Sequence, residues 1–216
     1  MPKPPLAERI VLAEKHLRRA DPVMARLIAR HGPCTLGARR PDPFHTLATS
    51  IISQQLSTKA ADTIAARVLA AAGAAKKFEA AHFLALKHEQ LRGCGLSNAK
   101  ARWLCDIAGR VHRGEFSFRA LTRLDDEAAI AMLDALPGIG RWSAEMYLIF
   151  ALHRLDLFAM DDVGLRRSVD RLYGAGRRLS DRRTLAIARA WAPYRSVASW
   201  YLWRVTDATP DRKDGA

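Results

Sequence analysis

An aspartate pair, Asp161-Asp162, stands directly before Val163-Gly164-Leu165-Arg166-Arg167, and Leu136-Pro137-Gly138-Ile139-Gly140-Arg141-Trp142-Ser143 lies one helix and one loop upstream. A carboxylate held in a fixed place can stabilise positive charge developing on a sugar and can orient or deprotonate water. A Pro-Gly-x-Gly turn serves a different end. Gly138 and Gly140 allow backbone conformations that other residues resist, and Pro137 stops the helix before them. The next helix then offers unpaired N–H groups and the positive end of its dipole, which suit a phosphate oxygen. Arg141 adds a formal charge beside them and Ser143 a hydroxyl in the first turn. Such a grip holds a nucleic-acid backbone without reading bases. Each feature also has a plain structural reading. An Asp before that run is a good helix N-cap, and Pro-Gly is ordinary punctuation between two helices.

The bulk composition favours the chemical readings. The chain has 216 residues with 35 Lys+Arg against 22 Asp+Glu, a net charge of +13 that suits a polyanionic partner. Hydrophobic residues make up 49%, enough to build a sizeable core and to argue against global disorder. Cys34, Cys94 and Cys105 are too few and too scattered for a disulfide framework, and with no CxxC pair they do not spell a zinc or iron–sulfur site. The N-terminus lacks the apolar core of a signal peptide and no apolar run has the length of a membrane span. The expectation is a cytoplasmic protein, nucleoid-associated in a bacterial cell, with no membrane partner.

Helical periodicity dominates, so the expected fold class is all-α. Helices are predicted over 7–19 and 21–31, with Asp21 and Pro22 at the joint, then over 43–53 and 57–72. Residues 78–92 are weakly helical. Ser97 caps a helix to about 112, a short helix follows near 118–123, and Asp125 caps the one that ends before Pro137. The helix from Gly140 runs to about His153, and helices near 163–173, 179–191 and 194–206 complete the chain. The whole of 1–216 reads as one domain. Its expected lobes are 43–135 and 1–42 with 136–206, with a cleft between them and a frayed tail at 207–216.

The segment from Leu136 to Ser143, followed by Asp156-Leu157-Phe158 and by Asp161-Asp162-Val163-Gly164-Leu165-Arg166-Arg167, resembles the helix-hairpin-helix DNA glycosylases. Within that superfamily the resemblance is to the compact all-α branch of the 3-methyladenine DNA glycosylase II group. Pro43-Phe44-His45-Thr46-Leu47, Ile51-Ile52-Ser53-Gln54-Gln55-Leu56-Ser57 and Gly95-Leu96-Ser97 with Lys100 extend it over about residues 15–206. Ala159 departs from the proline that many members carry. The resemblance implies that Asp162 is the catalytic aspartate of a base-excising hydrolase, and that Trp142 and Trp203, with Met146 one turn past Trp142, line a slot for the extruded base. Electron-rich indoles suit a cationic alkylated base. Trp142 also stands where relatives that nick the strand carry a lysine nucleophile, so the implied enzyme is monofunctional.

A flipped base leaves a gap that a wedge must fill. The candidates are Leu96 or Asn98 in the loop 95–98, and Gln55 between two helices; Leu96 reads equally as a hydrophobic contact anchoring its helix, and Gln55 as a capping or inter-helix hydrogen-bonding residue. His45 on the early helix is more simply read as a surface or core residue, and Trp191 and Trp200 as structural. The charge runs Arg39-Arg40, Arg166-Arg167, Arg177-Arg178 and Arg182-Arg183 read as solvated faces that include some phosphate contacts. The implied substrate is double-stranded DNA bearing alkylated bases, met by a monomer. No redox cofactor or catalytic metal is expected, and a monovalent cation bridging the hairpin carbonyls and a phosphate is the one ion the DNA complex would accommodate. Two competing readings are a non-catalytic DNA-binding module on the same hairpin and a glycosylase for oxidised or mismatched bases.

Overall fold

Capping residues decide where most helices begin. The structure is a computed structural model that describes residues 4–38, 41–74 and 76–207. Among these residues there are thirteen α-helices and no strand. Helices α1 (Leu6–Ala20) and α2 (Pro22–His31) open the chain, and Asp21 caps α2 by accepting from Val23 N and Met24 N. Then come α3 (Pro43–Ser53), α4 (Thr58–Ala71), α5 (Ala80–Ala85), α6 (His88–Gly93) and α7 (Asn98–His112). Ser57 and Ser97 cap α4 and α7 through their hydroxyls. After α8 (Phe118–Leu121), Asp125 caps α9 (Asp126–Asp134), and Gly140 starts α10 (Arg141–Phe150). The last three are α11 (Val163–Tyr173), α12 (Asp181–Arg189) and α13 (Arg195–Asp207). The tail at 208–216 and the Arg39-Arg40 pair lie outside the described residues.

The described chain forms two compact units: a terminal one, made of the residues before 39 and those from 153 on, and a middle one within 40–152. This moves one expected boundary. The sequence reading groups residues 136–152 with the chain ends, whereas they belong to the middle unit. The reason is the short Pro137–Gly140 turn, which keeps α10 against α9, while α10 also packs on α3. Ala144, Tyr147, Leu148 and Ile149 are its buried face.

In the terminal unit α13 packs on α11, α2 and α1. The sequence shows one apolar stripe on α13, but every residue from Ser196 to Leu202 is buried, so the helix is enclosed nearly all round. Ser168 Oγ meets the need of one carbonyl there by donating to Leu202 O at 2.7 Å. Asp21 does more than cap α2. Its Oδ2 accepts from the Tyr173 hydroxyl at 2.7 Å and from the buried Trp191 indole at 2.8 Å, tying the chain start to its end. Trp200 is buried as well, with the Arg204 guanidinium over its ring. In the middle unit Phe44, Phe78, Phe83 and Phe118 form a chain of ring contacts that reaches Tyr147 on α10.

Candidate active site

The segment before Asp162 is tied down at several points. The Asp156 carboxylate accepts a two-pronged contact from Arg195, Nε at 2.7 Å and Nη2 at 3.0 Å. Leu157 N donates to Ser196 Oγ at 2.9 Å, and Ser196 N donates to Leu155 O at 2.9 Å. The loop leading to the aspartate is thus fastened to the first turn of α13. Periodicity could not show Arg195 and Ser196 in this role, because their partners lie 39 residues away.

Asp162 is the N-cap of α11, and it is only 8% exposed. Its Oδ1 accepts from Leu165 N at 2.7 Å and from the Trp203 indole Nε1 at 3.0 Å. The capping reading and the catalytic reading therefore apply to the same side chain. Gly164 matters to this pair because a Cβ there would reach the Asp162 carboxylate at 3.4 Å and the Trp203 ring at 3.8 Å. Asp161 is exposed and helps line a separate polar depression with Arg166, Arg167 and Arg178.

In the middle unit a cavity of about 480 Å³ lies between α3 and α10. Trp142 and Met146 line it, and Trp142 is 45% exposed, an unusual state for an indole on a packed helix. Ser143 and Gln55 line it too. Trp203 is not among the residues lining this cavity; it belongs to the terminal unit, where its indole holds Asp162. Sequence reasoning missed Thr46, Ser50, Ser53, Tyr147 and Phe150 as liners, although the first three recur at helical spacing on α3.

The hairpin is held by long-range contacts. Gly138 sits at φ +79°, and a Cβ there would collide with the Trp103 ring on α7. Gly138 O accepts from Gln54 Nε2 at 2.8 Å, so a cation on the hairpin carbonyls would share that oxygen. Gln54 is itself anchored by Lys100, whose Nζ donates to Gln54 O at 2.6 Å and Ile52 O at 2.8 Å. Burial lowers the Lys100 pKa from its ordinary value. Gly140 caps α10 and, having no side chain, gives the first turn no side-chain cap of its own. Arg141, expected to place a formal charge beside the turn, is engaged with two carboxylates. Its guanidinium pairs with Glu127 at 2.7 Å and with Glu145 at 3.2 Å, and hydrogen bonding to Glu127 raises its pKa further.

Of the wedge candidates, Leu96 is corrected by the structure. It is 3% exposed, packed inward as the anchor of the loop before α7, and so is no apolar tip. Asn98 is exposed, with Oδ1 2.7 Å from His88 Nε2. Gln55 is exposed at φ +57°, a left-handed conformation that costs a non-glycine residue about 1 kcal/mol. Leu56 beside it is 40% exposed. His45 has a structural part, its Nδ1 accepting from Phe78 N at 3.1 Å.

Residues 48–193 match the family described as HhH-GPD superfamily base excision DNA repair protein. The chain is 30% identical over 207 residues to DNA-3-methyladenine glycosylase 1 of Schizosaccharomyces pombe, covering 94% of this chain and 91% of that protein. Its fold is similar to the crystal structure of a DNA-3-methyladenine glycosidase from Bacillus halodurans, with a TM-score of 0.82, 34% identity, and 91% of this chain and 89% of that one covered. It is also similar to the Schizosaccharomyces pombe 3-methyladenine DNA glycosylase Mag1 in complex with abasic DNA, with a TM-score of 0.75, 30% identity, and 90% and 96% covered. With an aspartate capping α11 and a Pro-Gly-x-Gly hairpin opening α10, the chain belongs to the HhH-GPD superfamily of base excision DNA repair proteins.

Proposed function

We propose that the protein is a monofunctional DNA glycosylase that removes alkylated bases of the 3-methyladenine type from double-stranded DNA by hydrolysis, acting as a monomer. The observation that carries this reading is the buried Asp162, whose Oδ1 is fixed by two N–H donors. Breaking the N-glycosidic bond leaves positive charge on the deoxyribose, and a preorganised carboxylate stabilises it as it forms. Water then adds at the anomeric carbon and loses a proton, which Asp162 is suited to accept. A base alkylated on a ring nitrogen is already cationic and departs as a neutral molecule. The reaction as written therefore needs no metal, redox cofactor or separate general acid.

Trp142 supports both halves of the proposal. Its half-exposed indole beside Met146 offers a polarisable wall for a cationic base. An indole cannot form the Schiff base that strand cleavage by β-elimination requires. Gln55 and Asn98 remain the candidates for filling the gap in the duplex, and the amides of Gly138, Gly140 and Ser143 for meeting a phosphate.

The test is base release from a methylated duplex. Asp162→Asn keeps an oxygen that can accept from Leu165 N and Trp203 Nε1, so it should fold normally while release falls by about a hundredfold or more. Asp161→Asn should be much milder. Undiminished release by Asp162→Asn would remove the assignment. Borohydride treatment should trap no covalent protein–DNA adduct, and a robust adduct would refute the monofunctional part.

A further inference from the structure

The cavity beside Trp142 has two chemically distinct contributors. Trp142, Met146 and Phe150 supply polarisable surface from α10. Thr46, Ser50 and Ser53 line it from α3, and Tyr147, which also carries a hydroxyl, lines it from α10. Each of these four hydroxyls already has an acceptor for its proton. Thr46 Oγ1 donates to Asp42 O at 2.8 Å, Ser50 Oγ to Leu47 O at 2.8 Å, Ser53 Oγ to Ser50 O at 3.0 Å and Tyr147 Oη to Pro43 O at 3.2 Å. A hydroxyl has one proton and two lone pairs. With the proton engaged by the main chain, the oxygen presents only acceptor capacity to a ligand. The other polar liners, Ser143, Gln54 and Gln55, sit in the hairpin helix start and the turn after α3, not along this row.

We propose that this hydroxyl row makes the pocket selective within the alkylated purines, favouring a base with an exocyclic amine at the six-position, as in 3-methyladenine, over one with a carbonyl there, as in 3-methylguanine. The inference rests on the glycosylase reading above. The two bases share ring size, methyl position and charge, so stacking on Trp142 does not separate them; 3-methylguanine carries its own donors at N1 and the two-position, so the row separates them where it meets the six-position edge. The cationic aminopurine has electron-poor amine protons that match the lone pairs of the row. A carbonyl oxygen in the same place meets oxygens of like partial charge. To serve it, a hydroxyl must rotate and abandon its main-chain acceptor. One hydrogen bond of that kind corresponds to about a fivefold change in rate. The row is partly open to solvent, so the selectivity is modest beside that of a sealed site.

The experiment measures single-turnover release of both bases from one methylated duplex, each divided by its spontaneous depurination rate. The protein should favour 3-methyladenine by roughly five- to thirtyfold, the range set by one or two hydrogen bonds. Thr46→Val and Ser50→Ala should each lower that ratio about fivefold, through slower 3-methyladenine release. Thr46→Ser, which keeps the hydroxyl, should hold the ratio near that of the parent protein. Equal release of the two bases by the parent protein, or equal slowing of both by the variants, overturns the selectivity while leaving the glycosylase reading intact. Release of neither base overturns both.

Discussion

An N-cap bond and an indole N–H meet on one oxygen of Asp162, and the second of these is where chemistry separates from folding. The cap bond from Leu165 would form in any helix started by an aspartate. The bond from Trp203 comes from 41 residues away and fixes the carboxylate against rotation. Trp203→Phe keeps most of the apolar contact and removes only that donor. Its single-turnover rate should fall about tenfold, the effect of one hydrogen bond to a charged group, while duplex affinity and helix content stay near those of the parent. Loss of affinity with an unchanged rate would instead place Trp203 against DNA. The cap role of Asp162 was readable from the residues around it, because an aspartate directly before a helical run is a good N-cap. The pairing with Trp203 was not, since periodicity along α13 marks that residue only as lying off the main apolar stripe.

At the scale of elements, the two hairpin glycines look alike in the chain and differ in the fold. Gly138 is held at positive φ against Trp103, while Gly140 has an ordinary negative φ and open space around the position of a Cβ. Gly138→Ala should therefore lose about 2–4 kcal/mol of stability from backbone strain and overpacking, read as a lower urea midpoint. Gly140→Ala should unfold within about 0.5 kcal/mol of the parent. It should nevertheless weaken duplex binding in a fluorescence anisotropy titration, because a methyl group would stand where a phosphate must approach the α10 amides. Helix starts were legible wherever a capping side chain marks them, as Asp21, Ser57, Ser97 and Asp125 do. Contacts between distant elements were not. Nothing local announces that Lys100 clamps the turn after α3, that Gln54 reaches Gly138, or that Glu127 engages Arg141. Leu96 stayed open between two readings for a related reason. An apolar residue in a Gly-rich loop has the same local pattern whether it points out as a tip or inward as an anchor, and here the core takes it.

For the whole molecule, a net charge of +13 predicts binding dominated by counterion release. The logarithm of duplex affinity should fall linearly with the logarithm of salt concentration, with a slope of about −0.9 for each phosphate contacted. Because Arg141 and Arg166 are paired with carboxylates, the slope should correspond to far fewer contacts than the arginine count invites. A slope near zero would remove the backbone grip from the account. Among the described residues no helix is long and apolar enough to cross a membrane. The division of the chain has a consequence in time as well as in space. The middle unit is continuous within residues 40–152, whereas the terminal unit joins α1 and α2 to α11, α12 and α13. Pairings close in the chain form early, and those separated by more than a hundred residues wait for the loop between them to close. A ribosome therefore releases the Pro137–Gly140 hairpin well before α13 exists to supply Trp203 and Arg195. The newborn chain would be able to fold the unit that carries the hairpin before the unit that carries Asp162, and that carboxylate would be set in place only as synthesis finishes.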